Sequence, residues 1–228
     1  LTTKKAEKII RESYPEFQFN SSYIDVKLHG IPIDMIKKIY YPEETVKKLL
    51  NTKIPDDKKR DAIDAIKYLQ SIGCKTGNIG ITGSIMLGTY NECSDIDVII
   101  YGREVFLKIR KHIKNSLAIG ELNPLNQVMW KDAYERRDCS LSFNDFYSHE
   151  IRKFNKFISG NSKVDISAIP NKDEKHKESG PYKKIGKDKI LSTVMDDSYA
   201  YDFPARYSIK HDNIKEVISY TGTYTGQA

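Results

Sequence analysis

The sequence predicts an α/β (α+β) fold in which amphipathic helices and short apolar strands alternate, followed by a small β-rich C-terminal domain. Three observations carry that expectation. Ala62, Ala65, Ile66 and Leu69 keep the 0, 3, 4, 7 spacing of a helix with one apolar face. Three strand-like runs come after it, at residues 78–82 (NIGIT), 95–101 (DIDVIIY) and 163–169 (KVDISAI). Beyond residue 189 the pattern changes to short strand-like pieces at 190–194, 205–209 and 217–220, set between turn residues.

Taken in order, residues 1–54 read as an irregular lead-in. Pro32, Pro42 and Pro55 break its short apolar stretches, and Pro42-Glu43-Glu44 suits the opening of a short helix. Asp56 or Asp57 is placed to cap the helix through Ala62 and Leu69, and Gly73 to close it. The strand at 78–82 leads into Gly83-Ser84 and an apolar turn, Ile85-Met86-Leu87. Gly102 stops the second strand, and residues 103–115 follow as an amphipathic helix through Phe106, Ile109 and Ile113. Residues 144–159 read as another helix, with Tyr147, Ile151, Phe154 and Ile158 on one face.

Residues 171–189 turn polar and charged around Gly180-Pro181, which marks a linker. The expected organisation is an N-terminal extension over 1–55, a core domain over 56–170 and a β-rich C-terminal domain over 182–228. Leu1 in place of Met, and the unpunctuated TGTYTGQA at the end, leave open that one or both ends are trimmed.

Composition narrows the class. The 228 residues are 39% hydrophobic and 30% charged, with a mean hydropathy of −0.56, as in soluble globular proteins. No apolar run approaches the roughly 18 residues of a membrane span, and the start has no apolar signal core. A cytoplasmic protein is expected. Cys74, Cys93 and Cys139 form no CxxC pair and leave an odd thiol, against both a disulfide framework and a zinc site. The excess of 37 Lys and Arg over 31 Asp and Glu, net +6 with pI ≈ 9.0, favours anionic partners such as nucleotides or nucleic acid. His29, His112, His149, His176 and His211 show no metal spacing and read as structural, as does Trp130. Neither a P-loop nor a GxSxG elbow is present.

The informative stretch is Gly83-Ser84, ten residues, then Asp95-Ile96-Asp97. In a strand, residues two apart share a face, so Asp95 and Asp97 project together while Ile96, Val98 and Ile100 pack on the other side. Two adjacent carboxylates repel unless a cation lies between them, and Mg²⁺, a hard ion that shares its shell with phosphate, is the usual solution. Gly83 allows close backbone approach, and with the Ser84 hydroxyl it suits a phosphate cradle. A third carboxylate, Asp165, interrupts the otherwise apolar strand at 163–169. Together these point to a metal-bound nucleoside triphosphate.

The pattern Gly83-Ser84, Asp95-x-Asp97 and Asp165 resembles the polymerase-β-like nucleotidyltransferase superfamily over residues 75–170. More loosely, most of the chain resembles an archaeal family of predicted, largely uncharacterised nucleotidyltransferases. The pieces that carry this run from Ile31-Pro32 to Tyr40-Tyr41-Pro42, and include Gly83 to Gly88, Ser94 to Asp97, Tyr101-Gly102, and Ile218-Ser219-Tyr220 through Ala228. The resemblance implies a core of a small mixed sheet flanked by helices. It also implies transfer of a nucleoside monophosphate from an NTP, ATP being the favoured donor, to an acceptor hydroxyl with release of pyrophosphate.

In that scheme Asp95, Asp97 and Asp165 are catalytic and hold two Mg²⁺ (or Mn²⁺) ions, with Asp165 a metal ligand or a general base. Gly83 and Ser84 hold the β,γ-phosphates. Arg103, Arg136, Arg137, Arg152 and Lys153 are candidate phosphate partners that spacing does not separate. RNA is the favoured acceptor on the basic pI and the appended domain; a small molecule or a protein side chain stays open. The alternative is a non-catalytic nucleotide- or RNA-binding module that retains the fold.

Overall fold

A computed structural model of the chain describes residues 3–137, 139–176, 180–220 and 226. These fall into two units, a larger one of residues 40–175 and 192–228 and a smaller one of 1–39 and 176–191.

The larger unit is organised by a four-stranded sheet. Its strands are β3 (Ile79–Ile81), β4 (Ile96–Tyr101), β5 (Lys156–Ser159) and β6 (Ser162–Ile169), in the order β3-β4-β6-β5. The sheet is mixed, because β4 and β6 run parallel while β3 and β5 each pair antiparallel to their neighbour. Helices α2 (Pro42–Leu50), α3 (Asp57–Ser71) and α5 (Arg103–Ala118) bury their apolar faces in its core, through Val46 and Leu49, Ala62 and Ile66, and Phe106 and Ile113. Helix α3 begins as its sequence dictates: the Asp56 carboxylate accepts from the Lys59 amide at 2.9 Å, which satisfies an otherwise orphaned donor. Gly80 brings α2 against β3, since a Cβ there would overlap Pro42 and Ile99.

A second cluster joins α6 (Gln127–Arg137) to α7 (Phe143–Glu150) through Trp130, Ala133 and Phe146. A three-stranded antiparallel sheet, β7 (Thr193–Tyr199), β8 (Ala205–Lys210) and β9 (Glu216–Ser219), closes the unit. Between β7 and β8, Asp202 binds the Arg103 guanidinium of α5, with Nε to Oδ1 at 3.0 Å, and Tyr201 lies 5.1 Å from Phe106.

The smaller unit contains α1 (Thr3–Ser13) and a hairpin of β1 (Gln18–Ser21) and β2 (Val26–His29). Its second segment meets the hairpin at Tyr182, whose amide donates to the Tyr23 carbonyl at 2.7 Å, and at Lys184, whose amide reaches Asp25 at 3.0 Å.

Several expectations differ from the structure. The lead-in holds a helix and a hairpin, and α2 belongs to the core, so the larger unit starts at Tyr40, well before residue 56. The C-terminal sheet groups with the core: its own apolar cluster among the described residues is small, Ala200, Ala205 and Tyr207, and the turn before β8 meets α5 through Tyr201 on Phe106 and Asp202 on Arg103. The helix read over 144–159 is broken. Helix α7 stops at Glu150, Phe154 takes a left-handed φ of 49°, and β5 carries Phe157 into the sheet. Tyr147 and Ile151, expected on a buried face, are each 39% exposed. Among the described residues no helix is long and apolar enough to cross a membrane.

Candidate active site

Strands β4 and β6 set the site, because their parallel register places Asp97 opposite Asp165. Ile96 and Val98 on one strand, and Val164 and Ile166 on the other, are anchored in the core, which fixes both carboxylates where the apolar pattern is interrupted. Gly83 follows β3 at the start of the short helix α4 (Gly83–Leu87), with φ 63°. A side chain there would be strained in the left-handed region, and its Cβ would overlap the Asp97 carboxylate. The glycine is what lets backbone and carboxylate touch. Burial, with Asp165 and then Asp95 nearby, pushes the Asp97 carboxyl above its ordinary value.

A cavity of about 530 Å³ opens here, within the larger unit. Thr82, Gly83, Asp97 and Asp165 line it together with the cations Arg137, Lys153 and Lys156 and with Tyr201, from the turn between β7 and β8.

Cations hold two of the three carboxylates. Lys163 reaches Asp95 at 2.8 Å and Arg136 reaches it at 3.1 Å. Lys156 reaches Asp165 at 3.2 Å, beside Asn155 Nδ2 at 3.3 Å. Behind Lys156 lies Glu150, 1% exposed and bound by both Lys156, at 3.0 Å, and Lys153. Burial alone would raise the Glu150 carboxyl, yet the two ammonium groups hold it down at about 2. The same burial lowers Lys153, while Asp165 and Glu150 outweigh burial at Lys156 and raise it.

The predicted residues are therefore brought together unequally. Asp97, Asp165 and Gly83 share the cavity; Asp95 lies just before β4 and Ser84 in α4, and neither lines it. Of the candidate cations, Arg137 and Lys153 line the cavity and Arg152 does not; Arg136 is taken by Asp95 and Asp132, and Arg103 by Asp202. Sequence reading missed Lys156, Lys163 and Glu150. Lys163 was legible as the residue two before Asp165 on one strand face. Lys156 was not, because it is the cross-strand partner of Asp165 in a segment read as helix.

Among the described residues no three His, Cys, Asp or Glu side chains are drawn into a ready-made cation cage. The donor chemistry nonetheless fits a hard divalent ion: Asp97 has no ion pair among the described residues, and two further carboxylates flank it.

An α+β core whose adjacent strands present carboxylates beside a strand-following Gly-Ser defines the class of nucleotidyltransferase domains. The chain belongs to that family: the family model, described as a nucleotidyltransferase domain, matches residues 59–197. The chain is also 32% identical, over 233 aligned positions, to the uncharacterised protein MJ1086 of Methanocaldococcus jannaschii, covering 99% of this chain and 68% of that one. No solved structure matches the chain significantly.

Proposed function

We propose that the protein transfers a nucleoside monophosphate from an NTP, with ATP the favoured donor, to an acceptor hydroxyl, RNA being the favoured acceptor. The observation that carries this reading is Asp97 opposite Asp165 with Gly83 pressed against the first carboxylate, in a chain of this family. Asp95, Asp97 and Asp165 would hold Mg²⁺ (or Mn²⁺). When bound, the ion would neutralise phosphate charge and lower the pKa of an acceptor hydroxyl.

The remaining roles belong to the chain's own groups. Gly83, in the cavity lining, offers its backbone to the β,γ-phosphates and Ser84, next to it in α4, its hydroxyl; Arg137 and Lys153, which also line the cavity, offer charge. Asp165 accepts the acceptor's proton as general base. The acceptor oxygen then bonds to the α-phosphorus as its bond to the bridging oxygen breaks, and pyrophosphate leaves.

A second reading has one observation in its favour: Lys163 and Lys156 already neutralise two of the three carboxylates. A module that binds nucleotide or RNA without turning it over would show that arrangement. Pyrophosphate release from each NTP, with Mg²⁺ or Mn²⁺ and total RNA, separates the two. The transferase releases pyrophosphate from a preferred NTP, and Asp97→Asn abolishes it. A wild type that binds NTP but releases none, with every metal and acceptor tried, would leave the binding module.

A further inference from the structure

A second cavity, of about 490 Å³, lies on the same unit and shares Tyr201 with the first. Its cations come from α5, from the last turn of α7 and from the turn that follows it: Arg103, Arg110, His149 and Arg152. They are not equivalent. Arg103 is committed to Asp202 and to the Glu174 carbonyl. Arg110 and Arg152, by contrast, have no carboxylate within ion-pair distance among the described residues.

Arg110 donates to the Lys153 carbonyl at 2.7 Å and the Arg152 carbonyl at 2.8 Å, and its guanidinium lies over the Tyr201 ring at 5.0 Å. Arg152 donates to the Ser148 carbonyl at 2.9 Å and lies 2.9 Å from His149 Nδ1. Lys114 extends the set one turn further along α5. Arg110 and Lys114 both sit over the Phe154 ring, at 5.7 and 5.2 Å. Glu104 and Asp197 also line the cavity but pair with none of these groups.

Cations gathered on fixed backbone without anionic partners repel one another, and that cost is recovered when an anion arrives. A single small anion would need one fork. Here the groups run from the cavity wall beside Tyr201 along α5, where half-buried Arg103 and Arg110 and exposed Lys114 share one face about 16 Å long at roughly 1.5 Å per residue. That layout fits a row of phosphates. Its inner end adjoins the cavity that holds Asp97 and Asp165.

We propose that Arg110, Lys114 and Arg152 dock the phosphodiester backbone of a nucleic-acid acceptor, leading its terminal hydroxyl towards the first cavity. The proposal rests on the transferase reading for the hydroxyl's destination, but the docking surface can be tested apart from it.

The test is binding of a labelled single-stranded RNA oligonucleotide across a KCl series, for the wild type, for Lys114→Gln/Arg152→Gln and for Asp97→Asn. Both residues of the double variant are exposed, and its melting temperature checks that it folds. Each lost phosphate contact should lower the slope of log K against log salt by roughly 0.7. The double variant should therefore lose about 1.4 of slope and bind RNA more weakly, with Mg-ATP binding intact. An unchanged slope and affinity would overturn the proposal. So would displacement of the RNA by free tripolyphosphate at matched phosphate concentration, which would mark a small-anion pocket. If the wild type does not bind Mg-ATP, the transferase reading falls, and the salt slopes still decide the docking surface.

Discussion

Ile66, Ile79, Ile96, Ile100 and Ile166 of the larger unit are completely buried, whereas no described side chain of the smaller unit falls in the buried class. Apolar residues are not scarce in the smaller unit. Phe19, Ile31, Ile33, Met35 and Ile185 all stand exposed. Its order comes from the β1–β2 ladder, backbone bonds such as Tyr182 to Tyr23, and edge-on contact between those two rings. An isolated two-stranded hairpin is marginal in water, while a sheet flanked by packed helices is not. The site is built entirely in the region that can hold a carboxylate still against its neighbours' repulsion.

The sharpest break of this contrast is a core truncation. Phe106→Ala removes a ring that is 1% exposed and supports both the main sheet and Tyr201, and should cost about 3–5 kcal/mol. Urea denaturation reads this as a large drop in midpoint.

Glu150→Gln tests whether the polar interior matters as much. It leaves Lys153 without its carboxylate partner and Lys156 with Asp165 as its remaining carboxylate, for an expected loss of about 3–5 kcal/mol. The pH dependence follows from the depressed carboxyl. A carboxylate held near 2 contributes stability above its unfolded value of roughly 4.3, and that contribution fades as pH falls through the folded value. Between about pH 4.5 and 2 the wild type should therefore lose more stability than Glu150→Gln, measured by thermal melts across that range.

Gly83→Ala should cost about 1–2 kcal/mol for its left-handed backbone, and more if Asp97 cannot give way. Its distinguishing mark is a defect in nucleotide binding larger than its loss of stability would explain. At the small end, Ile33→Ala, at a residue 88% exposed, should change stability by less than about 0.5 kcal/mol. Amides of β1 and β2 should likewise exchange with solvent faster than those of β4 and β6, by native-state hydrogen exchange.

The sequence made the local parts legible. Asp56, Ala62, Ile66 and Leu69 announced α3 through cap and spacing, and the apolar run at 95–101 announced β4. Gly83 stands out at the turn from strand to helix, Asp95 and Asp97 as a pair on one strand face, and Asp165 as the interruption of an apolar strand. What stayed hidden was nonlocal. The end of α7 gives no warning, because the left-handed residue is Phe154 where a glycine or asparagine would have signalled it. With that break went β5, and with β5 the partnership of Lys156 and Asp165. Helix α6 escaped because its apolar residues follow no single stripe, and only Trp130 and Ala133 are buried. The attachment of the C-terminal sheet depends on Arg103 meeting Asp202, a pairing that no spacing along the chain encodes.

The central claim is that Asp97, facing Asp165 and pressed on Gly83, forms a cation-dependent NTP site. Calorimetric titration of ATP, with and without Mg²⁺, into the wild type and Asp97→Asn tests it most directly. The account predicts binding by the wild type that requires Mg²⁺ and is lost in Asp97→Asn while the fold is retained. Equal binding by both proteins, or binding indifferent to Mg²⁺, would contradict it.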